Sequence, residues 1–258
     1  MSGRRRLERV LLPAAAAALL LGVWQAAVKA TGTTVFPSPA AVAGGLAELF
    51  RKGLLFRYVR DSLVRVAAGF GAALAVGVPA GVFLGWNRNA ARAVNPVIQF
   101  LRPISPLAWI PVAIVLFGVN DVAAVFLIFL ASLFPILVAA MNGVRGVPAM
   151  YRQAGRNFGL PPAALLARVV FPAALPELLG GIRIALGIAW LVVVAAEMIA
   201  VNSGLGYLVI DSRNAGKRYD LVVAAMLLIG VIGLALNAGV SRISQLRPLR
   251  WGSRPEEP

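Results

Sequence analysis

The 258-residue sequence contains no cysteine and no histidine. The usual zinc sites, which are built from Cys and His ligands, are therefore excluded, as are thiol nucleophiles and the common histidine general base. A Ser/His/Asp triad is impossible for the same reason. We expect neither a metal ion nor a cofactor, and we expect that the chain is not an enzyme by itself.

Charged residues are also scarce, and those of negative sign most of all. They make up 14% of the chain against about 25% in soluble domains, while 60% of the residues are hydrophobic and the mean hydropathy is +0.83. This composition predicts an all-α, polytopic membrane protein. The net charge of +15 could indicate nucleic acid, but the basic residues flank apolar runs. Membrane orientation and contact with anionic lipid explain them better, and no nucleic-acid partner is expected.

About six stretches are long enough to cross a bilayer as helices, which takes about 20 residues each. They cover residues 10–28, 62–86, 94–118, 122–141, 178–200 and 221–240. The first follows a group of arginines, as a signal peptide would, but its apolar core exceeds the usual length of about 7–15 residues. We interpret it as an uncleaved span.

Six spans that begin inside place both termini in the cytoplasm, and more Lys and Arg residues then fall on the inner segments than on the outer ones. The predicted organisation has five parts. They are a cytoplasmic tail with the first span (1–35), a periplasmic amphipathic segment (36–57), the transmembrane domain (58–241) with a cytoplasmic loop (145–176), and a cytoplasmic tail (242–258).

Two fragments resemble phosphate-binding loops but are incomplete. Lys217 follows a glycine as in a P-loop, yet Arg218 comes next and Asp211 stands where the first glycine belongs. The Gly204-Leu205-Gly206 start of a dinucleotide pattern has no third glycine, because Val209 occupies that place. The sequence therefore predicts that this chain does not hydrolyse ATP.

The second span carries small residues at every fourth position, which places them on one helix face and favours close helix packing in lipid. They are Gly69, Ala73, Gly77, Gly81 and Gly85. In the third span, Pro103, Pro106 and Pro111 each lack a backbone donor, so we expect a kinked or partly broken helix. Such a helix either lines the transport pathway or belongs to the core.

Glu197 lies near the outer end of the fifth span. A carboxylate in a membrane segment is a candidate for function, here at the pathway or its outer gate. The alternative is an interfacial or ion-paired glutamate, and both interpretations stay open at this stage.

Residues 152–176, RQAGRNFGLPPAALLARVVFPAALP, interrupt two apolar runs. The pattern predicts a short helix that ends at Gly159 in a left-handed C-cap, and a second helix that starts at Pro161-Pro162 and ends before Pro172. A rigid element of this kind suits docking to a partner, although an ordinary cytoplasmic loop is the alternative.

This stretch resembles the EAA loop of ABC importer permeases, which reads Glu-Ala-Ala, three residues, Gly, nine residues and then Ile-x-Leu-Pro. The spacing is the same here, with Gln153 and Gly155 in place of the glutamate and the second alanine. The blocks FPSPA, DSLVRVAAGFGAALAVGVPAGVFLG, NPVIQFLRPISPLAWIPVAIVLFG and AAEMIAVNSGLGYLV are similar to the nitrate/sulfonate/taurine branch of that family.

The resemblance implies a type I ABC importer permease (MetI-like) fold in a bacterial inner membrane. It also implies a homodimer, two ATPase subunits on the cytoplasmic face and an extracytoplasmic substrate-binding protein. The residues it assigns to ATPase coupling are Gln153, Ala154, Gly155, Gly159, Leu160, Pro161, Pro162 and Pro172. The implied solute is an alkanesulfonate, taurine or nitrate-like anion, with bicarbonate, an aromatic acid, a thiamine precursor or riboflavin as alternatives. A stand-alone secondary transporter would need more ionisable residues within the membrane.

Overall fold

The computed structural model describes residues 3–32 and 36–244. Residues 245–258, which form most of the predicted cytoplasmic tail, lie outside the described residues, as do residues 1–2 and 33–35 of the predicted N-terminal part. The described α-helices are α1 (Gly3–Thr31), α2 (Pro39–Arg51), α3 (Leu54–Trp86), α4 (Arg88–Leu101), α5 (Ile110–Phe117), α6 (Asp121–Gly146), α7 (Ala149–Asn157), α8 (Pro162–Leu165), α9 (Phe171–Glu197), α10 (Leu205–Gly216) and α11 (Tyr219–Ser244). No strand occurs in this part of the chain.

Five helices of the described region are long and apolar enough to cross a membrane, and the pair α4 and α5 supplies a sixth crossing if it counts as one broken span. The predicted polytopic helical architecture of about six spans is confirmed. Helix ends differ from the apolar stretches, because a helix continues past the apolar part until a residue stops it. The second span therefore begins at Leu54, next to the left-handed Gly53 (φ 68°), rather than at residue 62.

The centre of the bundle is the parallel pair α3 and α6. A Cβ placed on Gly69 would lie 2.7 Å from the carbonyl oxygen of Val125, and one on Gly85 would lie 2.8 Å from that of Met141. The residue numbers in these contacts increase together along the two helices, so the helices run parallel. Ala73 is fully buried in the same interface, and the glycines allow the two backbones to approach closely.

Replacing Gly81 by leucine is expected to destabilise the chain by about 1–3 kcal/mol or more, because a Cβ there meets the Leu137 carbonyl and the Ala140 side chain. The measurement is the midpoint of thermal unfolding in detergent. Gly71→Leu on the same helix is the matched control, since a Cβ at Gly71 meets nothing within 4 Å. Equal midpoints for the two variants would contradict the close packing of α3 on α6.

Two further helices complete the bundle. Helix α9 runs antiparallel to α6, with Gly181 against Ala139 and Gly143 against Ala174. Helix α11 runs antiparallel to α9, and the Trp190 indole N–H donates to the Ile229 carbonyl at 3.0 Å. The successive spans therefore alternate in direction from α3 to α11, as the order of the chain requires when α4 and α5 count as one broken span.

The amphipathic helix α2 packs on the first turn of α11. Arg218 Nη2 donates to Glu48 at 2.7 Å and to Asp220 at 2.8 Å, so one guanidinium joins α2 to the start of α11. Hydrogen bonds from Arg218 and Lys52 lower the pKa of Glu48 to about 2. Glu48 therefore stays ionised across the physiological pH range, and α2 is fixed to the bundle at this point.

Candidate translocation and coupling site

The third predicted span is broken in its middle. Helix α4 ends at Leu101, a 3₁₀ turn covers Pro106–Trp109, and the two halves of the span are bent by 83°. Pro103 lies in the break and Pro106 begins the 3₁₀ turn, where the Ser105 hydroxyl accepts from the Leu107 N–H at 3.3 Å. Pro111 instead occupies the first turn of α5, where its missing N–H removes no helical hydrogen bond. The break thus comes from the first two prolines.

A cleft of about 640 Å³ lies between this break, α6 and α9. Its volume falls within the range of about 300–1,000 Å³ for small-molecule sites. Most of its lining is apolar, and three polar side chains enter it: Arg102, Asn142 and Glu177. Pro106 lines the cleft together with Trp109, whereas Pro103 and Pro111 are not among the lining residues.

Neither Asn142 nor Glu177 is among the site residues predicted from the sequence. Both interrupt otherwise apolar helices near the loop that contains α7, and that interruption was the available signal. A polar residue in a membrane helix usually faces the bundle interior or a water-filled cavity. Only the antiparallel packing of α6 and α9 shows that these two residues face the same space.

Glu197 occupies a second, separate polar site at the far end of α9. Its side chain is fully buried and does not line the cleft. Arg65 Nη1 donates to Glu197 Oε1 at 2.7 Å, while the Ser62 hydroxyl and the Gly206 N–H each donate to Oε2 at 2.9 Å. The carboxylate is thereby paired and hydrogen-bonded on both oxygens.

Arg65, only 4% exposed, extends this site to further elements. Its Nη2 donates to Asp121 Oδ1 at 2.7 Å at the start of α6, and Nη1 donates to the Ser203 carbonyl at 2.8 Å. A Cβ on Gly204 would collide with the Glu197 carboxylate, so glycine (φ 102°) is required there. The N-terminal part of α3, the start of α6, the end of α9 and the start of α10 are joined through one guanidinium and one carboxylate.

The loop between the fourth and fifth spans, which is predicted to be cytoplasmic, begins with the short helix α7. Gly159 follows in the left-handed conformation (φ 73°), and its N–H donates to the Arg156 carbonyl at 2.8 Å. The Leu160 N–H then donates to the Gly155 carbonyl at 3.1 Å. Pro161 is extended and Pro162 is the first residue of α8. The turn at Gly159 thus has the geometry that its sequence predicts.

The predicted end of the second short helix before Pro172 is wrong. A π-helical turn, Leu166–Val170, follows α8 directly and leads into α9, so one continuous helix extends from Pro162 to Glu197. Within it the Phe171 N–H donates to the Leu166 carbonyl, five residues back. The wider turn lets the helix pass a proline that lacks a donor, and the second short helix is the N-terminal part of the fifth span.

Helix α7 packs tightly on this continuous helix. Gly155 is buried in this contact, and a Cβ placed on it would lie 2.5 Å from Cδ1 at the end of the Leu165 side chain. Gln153 and Ala154 are exposed. So are large apolar side chains that sequence analysis did not single out, with Met150 67% and Phe158 87% accessible. An exposed apolar surface on a polar loop is typical of a protein-binding site.

Known proteins are similar to this chain in sequence and in fold. Residues 77–246 match the family model described as binding-protein-dependent transport system inner membrane component. The chain is 35% identical over 255 residues to the bicarbonate transport system permease protein CmpB of Synechococcus elongatus, covering 92% of this chain and 89% of that one. It is 34% identical over 248 residues to the nitrate import permease protein NrtB of Synechocystis, with the same two coverages.

Among solved structures, an inward-facing structure of the MetNI methionine ABC transporter matches with a TM-score of 0.66 at 21% sequence identity. The match covers 78% of this chain and 97% of that one. At this identity the likeness shows the fold alone, and it confirms the predicted type I importer permease fold.

Proposed function

Because the chain belongs to the family of binding-protein-dependent transport system inner membrane components, and is the permease subunit of an ABC importer, we propose that it carries a small oxyanion through the cleft at its broken third span. The solute is an alkanesulfonate, taurine or a nitrate-like anion. The relatives named for bicarbonate and nitrate support a small anion.

The polar groups of the cleft support an anionic solute of low affinity. Arg102 is the one cationic side chain of the lining, and a guanidinium presents paired donors that match the oxygens of a carboxylate, nitrate or sulfonate group. The Asn142 amide adds neutral hydrogen-bonding capacity. Glu177 opposes tight anion binding, and this suits a passage that must release what it receives.

The proposed assembly contains two copies of this chain, two ATPase subunits that dock on the α7 loops, and an extracytoplasmic substrate-binding protein. Both termini then lie in the cytoplasm, residues 58–241 form the transmembrane domain, and α2 with α10 faces the binding protein. The exposed Met150 and Phe158 give α7 an apolar surface for the ATPase groove. ATP hydrolysis belongs to the partner, in agreement with the incomplete phosphate loops of this sequence.

The observation that carries the coupling proposal is the continuous helix Pro162–Glu197. Helix α7 contacts its inner end through Gly155 and Leu165, and the same helix forms one wall of the cleft through Glu177 and Gly181. A displacement of α7 by an ATPase subunit therefore moves a wall of the cleft without passing through a flexible joint. Alternating access follows when this wall opens the cleft to one side of the membrane and then to the other.

Replacing Arg102 by glutamine is expected to lower uptake of the transported oxyanion about tenfold, because the charge-assisted contact to the anion is lost while the side-chain volume is largely kept. The measurement is ATP-driven uptake of labelled nitrate, bicarbonate and taurine into vesicles that contain the reconstituted transporter. Arg102→Lys should retain more activity than Arg102→Gln. Arg57→Gln, an exposed arginine outside the cleft, is the matched control. Unchanged uptake in Arg102→Gln would contradict the assignment of the cleft as the path of the anion.

A further inference from the structure

A second cavity, of about 870 Å³, lies where the inner ends of α3 and α6 meet α4 and α7. Five arginines from three separate segments line it, and we refer to it as the arginine cavity. They are Arg88 and Arg92 of α4, Arg145 of α6, and Arg152 and Arg156 of α7. Trp86, the last residue of α3, completes one wall.

The positive charge of the arginine cavity is not balanced by the protein. No Asp or Glu lines it, and none of its five guanidinium groups makes an ion pair within the part of the chain that the structure describes. The one hydrogen bond from this set goes from Arg145 to the Leu84 carbonyl at 3.5 Å. Like charges around a single concavity repel one another, so an anion bound among them stabilises the arrangement.

The position of the arginine cavity identifies the kind of anion. The apolar spans α3 and α6 end at Trp86 and Gly146, beside the cavity, so the cavity lies at the depth where a bilayer changes from hydrocarbon to headgroups. Tryptophan is enriched at this depth. Lipid phosphates are the most abundant anions there, and basic pockets between helices on the cytoplasmic side are suited to anionic headgroups.

We propose that the arginine cavity binds the phosphate of an anionic phospholipid of the inner leaflet. Guanidinium groups bind phosphate oxygens in pairs, and their convergence from α4, α6 and α7 surrounds one headgroup. The bound lipid then links α4, which leads into the broken span, to the coupling helix α7. This inference does not depend on the transported solute or on the cleft, because lipid retention is measured without transport.

The test uses the full chain in nanodiscs of phosphatidylcholine with a fraction of phosphatidylglycerol, followed by native mass spectrometry of the lipid that stays bound. Arg88→Gln/Arg92→Gln is expected to weaken retention of phosphatidylglycerol roughly 30-fold, because each arginine near an anionic membrane surface contributes a factor of about five. These two residues lie on α4 and leave α7 intact. Arg88→Lys/Arg92→Lys keeps the charge and should retain most of the lipid.

The matched control is Arg168→Gln/Arg242→Gln, which removes two exposed arginines near the same membrane face but outside the arginine cavity. A second measurement uses the fluorescence of Trp86. Brominated phosphatidylglycerol should quench this fluorescence more strongly than brominated phosphatidylcholine does. The difference in signal between the wild type and Trp86→Phe isolates the contribution of Trp86. Equal lipid loss in the two glutamine variants would overturn the proposal.

Two other outcomes would also overturn it. In the first, the wild type binds inorganic phosphate but retains no phosphatidylglycerol, and Arg88→Gln/Arg92→Gln does not bind phosphate. This result would assign the cavity to a free anion. In the second, the same variant retains lipid as the wild type does but no longer captures the ATPase subunit. This result would assign the arginines to binding of the protein partner.

Discussion

Replacing Gly159 by proline is expected to reduce ATP-driven uptake to the level of empty vesicles while the chain still inserts in the membrane. Gly159 has a φ of 73°, which proline cannot adopt because its ring holds φ near −65°. Proline also lacks the N–H that Gly159 donates to the Arg156 carbonyl. The turn would open, and α7 would lose its packing on Leu165. The measurement is uptake together with capture of the ATPase subunit.

Three further variants test whether the turn at Gly159 is the cause of the lost uptake. Deletion of residues 160–162 should have the same effect, because it removes the start of the continuous helix. Gly159→Ala should give an intermediate loss, since an alanine in the left-handed conformation is disfavoured by about 1–2 kcal/mol. Gly146→Ala, where a Cβ meets nothing within 4 Å, is the control on the same side of the membrane and should transport normally. Normal uptake by the Gly159→Pro variant would contradict the coupling role of this turn.

Replacing Arg65 by alanine is expected to destabilise the chain by about 3–5 kcal/mol, which is the usual effect of removing one partner of a buried ion pair. Glu197 is fully buried and would keep only the Ser62 and Gly206 donors. The measurement is the thermal unfolding midpoint in detergent and the yield of folded chain. Arg60→Ala is the control, because the Arg60 side chain is 76% exposed and its ion pair with Asp61 is worth about 1 kcal/mol or less.

A double variant separates the ion pair from simple loss of packing. Arg65→Met with Glu197→Gln should recover much of the stability, since a glutamine oxygen can accept from Gly206 and Ser62. Asp121, which is 72% exposed, remains hydrated without Arg65. A double variant no better than Arg65→Ala alone would contradict the pairing as the cause.

Glu197→Gln alone also tests the role of this residue in transport. We expect it to assemble and to transport more slowly, because the outer ends of four helices are then joined less firmly. Unchanged uptake would restrict Glu197 to a structural role and remove it from the candidate gate residues.

Most of the architecture follows from local patterns in the sequence. The apolar stretches predict the spans, Pro103, Pro106 and Pro111 predict a break in the third one, and Gly159 predicts the left-handed turn. Of the three prolines, Pro111 lies in the first turn of α5 rather than at the break. One local rule failed, at Pro172. A proline usually ends the helix before it, but a π turn shifted the hydrogen bonds and allowed the helix to continue.

The sequence by itself determined that this chain is a helical membrane protein with a tight glycine turn in the loop before its fifth span, because helix formation, membrane insertion and tight turns depend on residues only a few positions apart. The tertiary structure alone decided which polar groups meet. Arg65 and Glu197 are 132 residues apart, and the arginine cavity combines α4, α6 and α7. Such contacts depend on the register of α3, α6 and α9. Close packing at glycines sets this register across the bundle, and no local sequence pattern contains it.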